Sequence, residues 1–161
     1  TSDVAVIPAP DFKQKTAICN YVINTAKTLG IETPKVAMIA PTEQMSVGIP
    51  SCVDAALIAA MGNRGQIKGA ILDGPLALDV AIDKESAQIK KLKGEVAGDA
   101  DCLVWPNIES GNVFYKSCTK FAKAELAAMV VGAKVPCVLS SRGDSTKTKM
   151  YSIALAALSC K

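Results

Sequence analysis

Apolar positions along this chain follow two alternating rhythms. Short runs dense in β-branched and aliphatic residues, at 4–7, 35–40, 67–73 and 101–105, have the length and composition of buried strands. Between them apolar residues recur at every third or fourth position, the spacing of one helix face. After Asp11 that face carries Ile18, Val22, Ala26 and Leu29, with Asp11 placed to cap the helix and Gly30 to end it. Further helices are expected from Ser51 or Asp54 to Met61, over 84–92, over 110–124 and over 145–159. Residues 76–82 fit either period. Segment 126–131 ends in Val130 and Val131 and reads as a fifth strand, broken by Gly132. Pro8, Pro41 and Pro106 close three of the runs, and Asp73-Gly74-Pro75 reads as a turn. Strand and helix alternate throughout, which predicts an α/β fold: a parallel sheet flanked by crossover helices.

One stretch organises the rest. Val135-Pro136-Cys137-Val138-Leu139 opens as a buried strand, and Ser140-Ser141-Arg142-Gly143-Asp144-Ser145 then presents hydroxyl, guanidinium and carboxylate groups just before a helix. Loops beyond the carboxyl ends of strands are where α/β proteins place ligands, and a helix start offers free N–H groups to an anion. Each member also has a structural reading: Asp144 or Ser145 as the helix cap, Gly143 as the turn former, Arg142 as a surface charge. Two further loops carry polar chemistry. Asp73 and Asp79 bracket one of them, either as a strand end and a helix cap or as groups that orient a ligand. In the other, Gly111 would let a ligand approach the backbone, and Asn112 and Lys116 share a helix face that suits a phosphate or an acyl oxygen; an ordinary capped helix with an exposed lysine fits equally.

Composition narrows the chemistry. The 161 residues are 50% hydrophobic and only 4% aromatic, with mean hydropathy +0.27, so the core is built from small aliphatic side chains. A net charge of +3, from 18 basic and 15 acidic residues, is too balanced for a generic nucleic-acid binder; the lysines at 90, 91 and 93 read as a solvated helix end. The absence of histidine removes the Ser-His-Asp and Cys-His nucleophilic triads and the commonest zinc ligand. Six scattered cysteines without a Cys-x-x-Cys pair read as reduced thiols, hence a cytoplasmic location, and not as metal ligands. No apolar run approaches the length of a membrane span, no signal peptide is visible, and no Gly-x-Gly-x-x-Gly follows a strand, which weighs against a nucleotide-dependent oxidoreductase. The start at Thr1, directly in a strand-like run, reads as a piece of a longer protein.

Several segments in order resemble the phosphate acetyltransferase and phosphate butyryltransferase family: Asp73-Gly74-Pro75-Leu76-Ala77-Leu78-Asp79, residues 96–101, residues 106–116 with Gly111-Asn112 and Tyr115-Lys116, and residues 132–136 leading to Ser141-Arg142. The variant Asp-Gly-Pro-Leu-Ala-Leu-Asp is similar to the butyryltransferase branch. The resemblance implies reversible transfer of an acyl group, butyryl or acetyl, between coenzyme A and inorganic phosphate. It implies no tightly bound cofactor, small-molecule substrates, no nucleic-acid or membrane partner, and a homodimer or larger assembly. The implied fold is a pair of α/β domains like that of isocitrate dehydrogenase, with the N-terminal part missing here. Residues 1–131 would be the second domain and 132–161 a strand and helix returning to the first, leaving Cys137, Val138 and Leu139 facing solvent or a second chain. By the same resemblance Ser141 and Arg142 match the catalytic Ser-Arg pair. Asp73, Gly74, Gly111, Asn112 and Lys116 are the expected substrate-binding set. The acetyltransferases carry a general-base aspartate where this chain has Thr148, and Asp144 is the nearest substitute. The alternative is a non-catalytic acyl-CoA-binding module like the phosphotransacetylase-like domain of malic enzymes.

Overall fold

The first helix begins where Asp11 and Gln14 cap each other. The Asp11 carboxylate accepts the Gln14 N–H (2.7 Å), and the Gln14 side-chain carbonyl accepts the Asp11 N–H (2.9 Å). Two helix-end donors are satisfied at once. In the computed structural model, which describes residues 1–160, this helix, α1, spans Phe12–Thr28. It buries Ile18, Cys19, Val22, Ile23 and Ala26. Leu29, expected on that face, lies one residue past the helix and is 58% exposed. Once the helical turn is lost, its side chain no longer follows the stripe.

Three parallel strands follow in the order β2-β1-β3: β1 Lys35–Ile39, β2 Ile71–Leu76 and β3 Cys102–Val104. Four of the five β1 residues are buried, as expected of a parallel strand covered on both faces. The crossover from β1 to β2 is α2, Pro50–Asn63, which packs on both strands. It starts at Pro50, before the expected Ser51 or Asp54, because a proline at the first helical position loses no hydrogen bond. Two short helices, α3 (Leu78–Ile82) and α4 (Lys84–Ile89), carry the chain from β2 to β3. The Asp83 carboxylate caps α4 by accepting the Ser86 N–H at 2.7 Å. Two more helices complete the fold: α5, Ile108–Lys120, and α6, Thr146–Leu158.

Three expectations are corrected. Residues 4–7 are not a strand: the Asp3 carboxylate accepts the N–H groups of Ala5, Val6 and Ile7, and those donors are then lost to any ladder. Asp73-Gly74-Pro75 is not a turn but lies within β2. Pro75 has no N–H to offer; the register passes from Ala37↔Asp73 to Ile39↔Leu76, and the Leu76 carbonyl accepts the Ala40 N–H (2.9 Å). Segments 126–131 and 135–140 form no strand. A single bridge joins Val130 to Cys137, and Val135 and Leu139 are 64% and 71% exposed. Their β-branched composition is not matched by a neighbouring strand among the described residues.

The chain divides into two compact units, Thr1–Val113 and Phe114–Lys161. The first unit holds the sheet and a core in which Val36, Ile58, Val80 and Val104 are almost fully buried. The second holds the later part of α5, the segments 126–131 and 135–140, and α6. There Leu155 and Ala156 are buried, and the buried Ser152 hydroxyl accepts the Ala128 N–H (3.0 Å).

Candidate active site

In the second unit the polar stretch after residue 140 is drawn into one hydrogen-bonded knot. Ser145 caps α6, its hydroxyl accepting the Thr148 N–H at 3.1 Å. Asp144, one residue earlier, folds back on the loop. Its N–H donates to the Ser141 carbonyl (3.1 Å), and one carboxylate oxygen accepts the Ser141 N–H (2.8 Å). The other carboxylate oxygen accepts the Tyr115 hydroxyl from α5 at 2.7 Å. Burial first, and then the Asp144 carboxylate, push the Tyr115 hydroxyl up to about 12, so it remains protonated and donates. The ammonium of Lys116 lies 4.1 Å from the centre of the Tyr115 ring.

Ser141 and Arg142 sit at the outer turn of this loop. Ser141 is half-buried and its hydroxyl accepts the Gly143 N–H over 3.4 Å. Arg142 is exposed, and no ion pair or side-chain hydrogen bond holds its guanidinium among the described residues. An arginine presented without a carboxylate partner keeps all its donors for an anion. Thr148 is buried, and its side chain lies 3.2 Å from the Ser145 hydroxyl. That position serves the helix cap in this chain and offers no proton acceptor of carboxylate strength.

The first unit holds the remaining expected residues. Asp73 is half-buried in β2 and accepts the Gly74 N–H (2.8 Å); burial pushes its carboxyl above the usual range, against the smaller opposing effect of that hydrogen bond. Gly74 leaves no room for a side chain, since a Cβ there would lie 2.7 Å from Met38 Cβ. Asp79 pairs with Lys90 (3.2 Å), which also reaches Glu43 (3.3 Å). Gly111 is fully covered: a Cβ would lie 2.2 Å from the Asp3 carbonyl oxygen. What approaches its backbone in this chain is the N-terminal segment. Asn112 ties down the same segment, donating to the Val4 carbonyl at 2.9 Å.

Two features of this unit escaped the sequence reading. Lys15 of α1 and Asp54 of α2 form an ion pair of 2.7 Å with little exposure. They lie beside a cavity of about 10 Å³ that Met38, Ile39, Val104 and Trp105 also line, where the strand order turns about β1. This place in a wound sheet usually receives a ligand, but here it is nearly filled. Apolar i, i+4 spacing identified α1, and nothing in it marked Lys15 as a buried member. A larger cavity of about 360 Å³ opens at the amino end of β1, lined by Lys35, Lys84 and Asp99 among others. None of the expected site residues lines it.

The matches to known proteins cover nearly the whole chain. Residues 1–157 match the model of the phosphate acetyl/butaryl transferase family. The chain belongs to that family. It is 49% identical over 157 residues to the phosphate butyryltransferase of Clostridium acetobutylicum, a match covering 98% of this chain and 52% of that protein. It is 43% identical to the phosphate acetyltransferase of Thermotoga maritima, covering 98% and 53%. Among solved structures it superposes on a branched-chain phosphotransacylase from Enterococcus faecalis V583 with a TM-score of 0.89 at 38% identity, covering 97% of this chain and 56% of that one. The chain thus spans about half the length of the relatives it matches. The relatives are named as enzymes, and the α/β transferase fold expected from the sequence is the one observed. No helix among the described residues is long and apolar enough to cross a membrane, and no cluster of ligating side chains among them suits a metal ion.

Proposed function

We propose that this chain is the part of a phosphate acyltransferase that presents Ser141 and Arg142 to phosphate and to the acyl group. The observation that carries the reading is the exposed Arg142, unpaired among the described residues, on a loop fixed by Asp144, in a chain of this family. In the forward direction an oxygen of hydrogen phosphate attacks the thioester carbonyl carbon of an acyl-CoA. The new C–O bond forms, the C–S bond breaks, and the phosphate proton ends on the departing sulfur, giving acyl phosphate and free CoA. Arg142 holds the doubly charged phosphate oxygens, where a guanidinium fork matches the tetrahedral anion. The Ser141 hydroxyl donates to the carbonyl oxygen or to the sulfur as charge develops. Lys116, whose ammonium lies over the Tyr115 ring, belongs to the binding surface in this reading, whereas Gly111 and Asn112 hold the chain's own first residues. Butyryl or acetyl is the group transferred. No tightly held cofactor takes part, and assembly as a homodimer or larger in the cytoplasm completes the proposal.

Phosphorus NMR of the full-length gene product incubated with butyryl-CoA and inorganic phosphate tests this directly. An acyl phosphate resonance that grows with free thiol supports the transferase. CoA binding without any acyl phosphate would favour the regulatory, non-catalytic module instead. The 161-residue chain alone is expected to show little turnover, because it spans only about half of its relatives.

A further inference from the structure

We propose that Tyr115 and Asp144 act together as a positioning pair that sets the Ser141-Arg142 loop, and that Asp144 is not the base of the reaction. The inference rests on the transferase reading above and adds to it a role for Tyr115, a residue of the resembling segment to which no function had been given. Asp144 holds both backbone polar groups of Ser141: its N–H donates to the Ser141 carbonyl, and its Oδ2 accepts the Ser141 N–H at 2.8 Å. That closes a tight turn in which Arg142 and Gly143 are the exposed corner. The remaining oxygen, Oδ1, is taken by the Tyr115 hydroxyl at 2.7 Å. The loop is therefore fastened to α5 by one carboxylate used at both ends. Tyr115 stays protonated across the working pH range and is a donor throughout.

A carboxylate placed to abstract a proton from substrate needs an oxygen directed at the substrate. Here each oxygen faces a donor of the protein itself. Reaction geometry is sensitive to displacement, and an error of about 1 Å in a contacting group costs up to about 100-fold in rate. A clamp on Ser141 and Arg142 is thus worth a large factor in rate without touching the substrate.

The test compares Tyr115→Phe, Asp144→Asn and the double variant in the full-length protein, by phosphate-dependent release of thiol from butyryl-CoA and by trypsin cleavage after the exposed Arg142. A positioning pair predicts that both single variants lower kcat/KM by about 10- to 100-fold and that the double variant is no worse than either, as for groups that act as a unit. It also predicts an unchanged shape of the pH–rate profile, faster cleavage after Arg142 in each variant, and a Tm in Tyr115→Phe close to that of the native protein. The proposal is overturned if Asp144→Asn loses far more rate than Tyr115→Phe and the acidic limb of its pH profile disappears, which would make Asp144 the base. It is equally overturned if Tyr115→Phe leaves both rate and cleavage at native values. Should the native protein show no transfer while cleavage still accelerates in both variants, the clamp stands and the transferase reading is what fails.

Discussion

A single methyl group added at Gly111 would lie 2.2 Å from the Asp3 carbonyl oxygen and 3.0 Å from the Trp105 ring. Gly111→Ala should therefore cost about 1–3 kcal/mol through overpacking, read as a lower denaturant midpoint. At Gly143 the nearest atom to an added Cβ is the Ser141 hydroxyl oxygen at 4.0 Å, and the backbone there is not left-handed. Gly143→Ala should shift stability by no more than about 0.5 kcal/mol, although both glycines sit in polar segments of similar appearance. Asp73 yields a prediction in pH. Burial raises its carboxyl in the folded state above its unfolded value, so ionisation is penalised by folding. The penalty is absent below the unfolded value, grows as pH rises through the interval up to the folded value, and is complete above it. Asp73→Asn, which keeps an acceptor for the Gly74 N–H, should raise Tm at neutral pH and lose that advantage in acid below the usual aspartate range. An advantage that persists unchanged in acid would show that the cause is not the charge.

Among the elements, α2 carries the most packing on the sheet, lying on both β1 and β2, and its Ile58 is fully buried in the core. Ile58→Ala should cost about 2–5 kcal/mol by leaving a cavity, whereas Leu29→Ala, 58% exposed past the end of α1, should stay within about 0.5 kcal/mol. Chemical denaturation of the two variants checks the pair. The contrast also explains which elements the sequence could show. α1 was legible because a reciprocal cap and a one-sided apolar stripe agree over its length, and β1 because a covered parallel strand is an unbroken apolar run after Lys35. Segment 4–7 was misread because its composition says strand while a carboxylate one residue upstream takes its N–H groups. Segments 126–131 and 135–140 have strand composition too, but pairing depends on what lies alongside, and sequence pattern carries no record of that. Asp73-Gly74-Pro75 looked like a turn because local rules for glycine and proline ignore a register shift in the neighbouring strand.

At the scale of the molecule, two compact units belong to one transferase family and span about half the length of its named relatives. The candidate site was only partly legible. Ser141, Arg142 and Asp144 are neighbours in sequence, so their chemistry was visible as a cluster. Tyr115 reaches Asp144 across 29 residues, a meeting only the fold produces. Gly111 and Asn112 looked like ligand groups, yet in this chain they hold its own first residues. The central claim is that Arg142 receives phosphate. The most direct measurement is the phosphate saturation curve of CoA release by the full-length protein, native against Arg142→Ala. The account predicts a phosphate KM raised by about 10- to 100-fold, the factor equivalent to about 1.5–3 kcal/mol of charge-assisted hydrogen bonding, with the KM for acyl-CoA far less changed. A phosphate KM identical in the two proteins would contradict it.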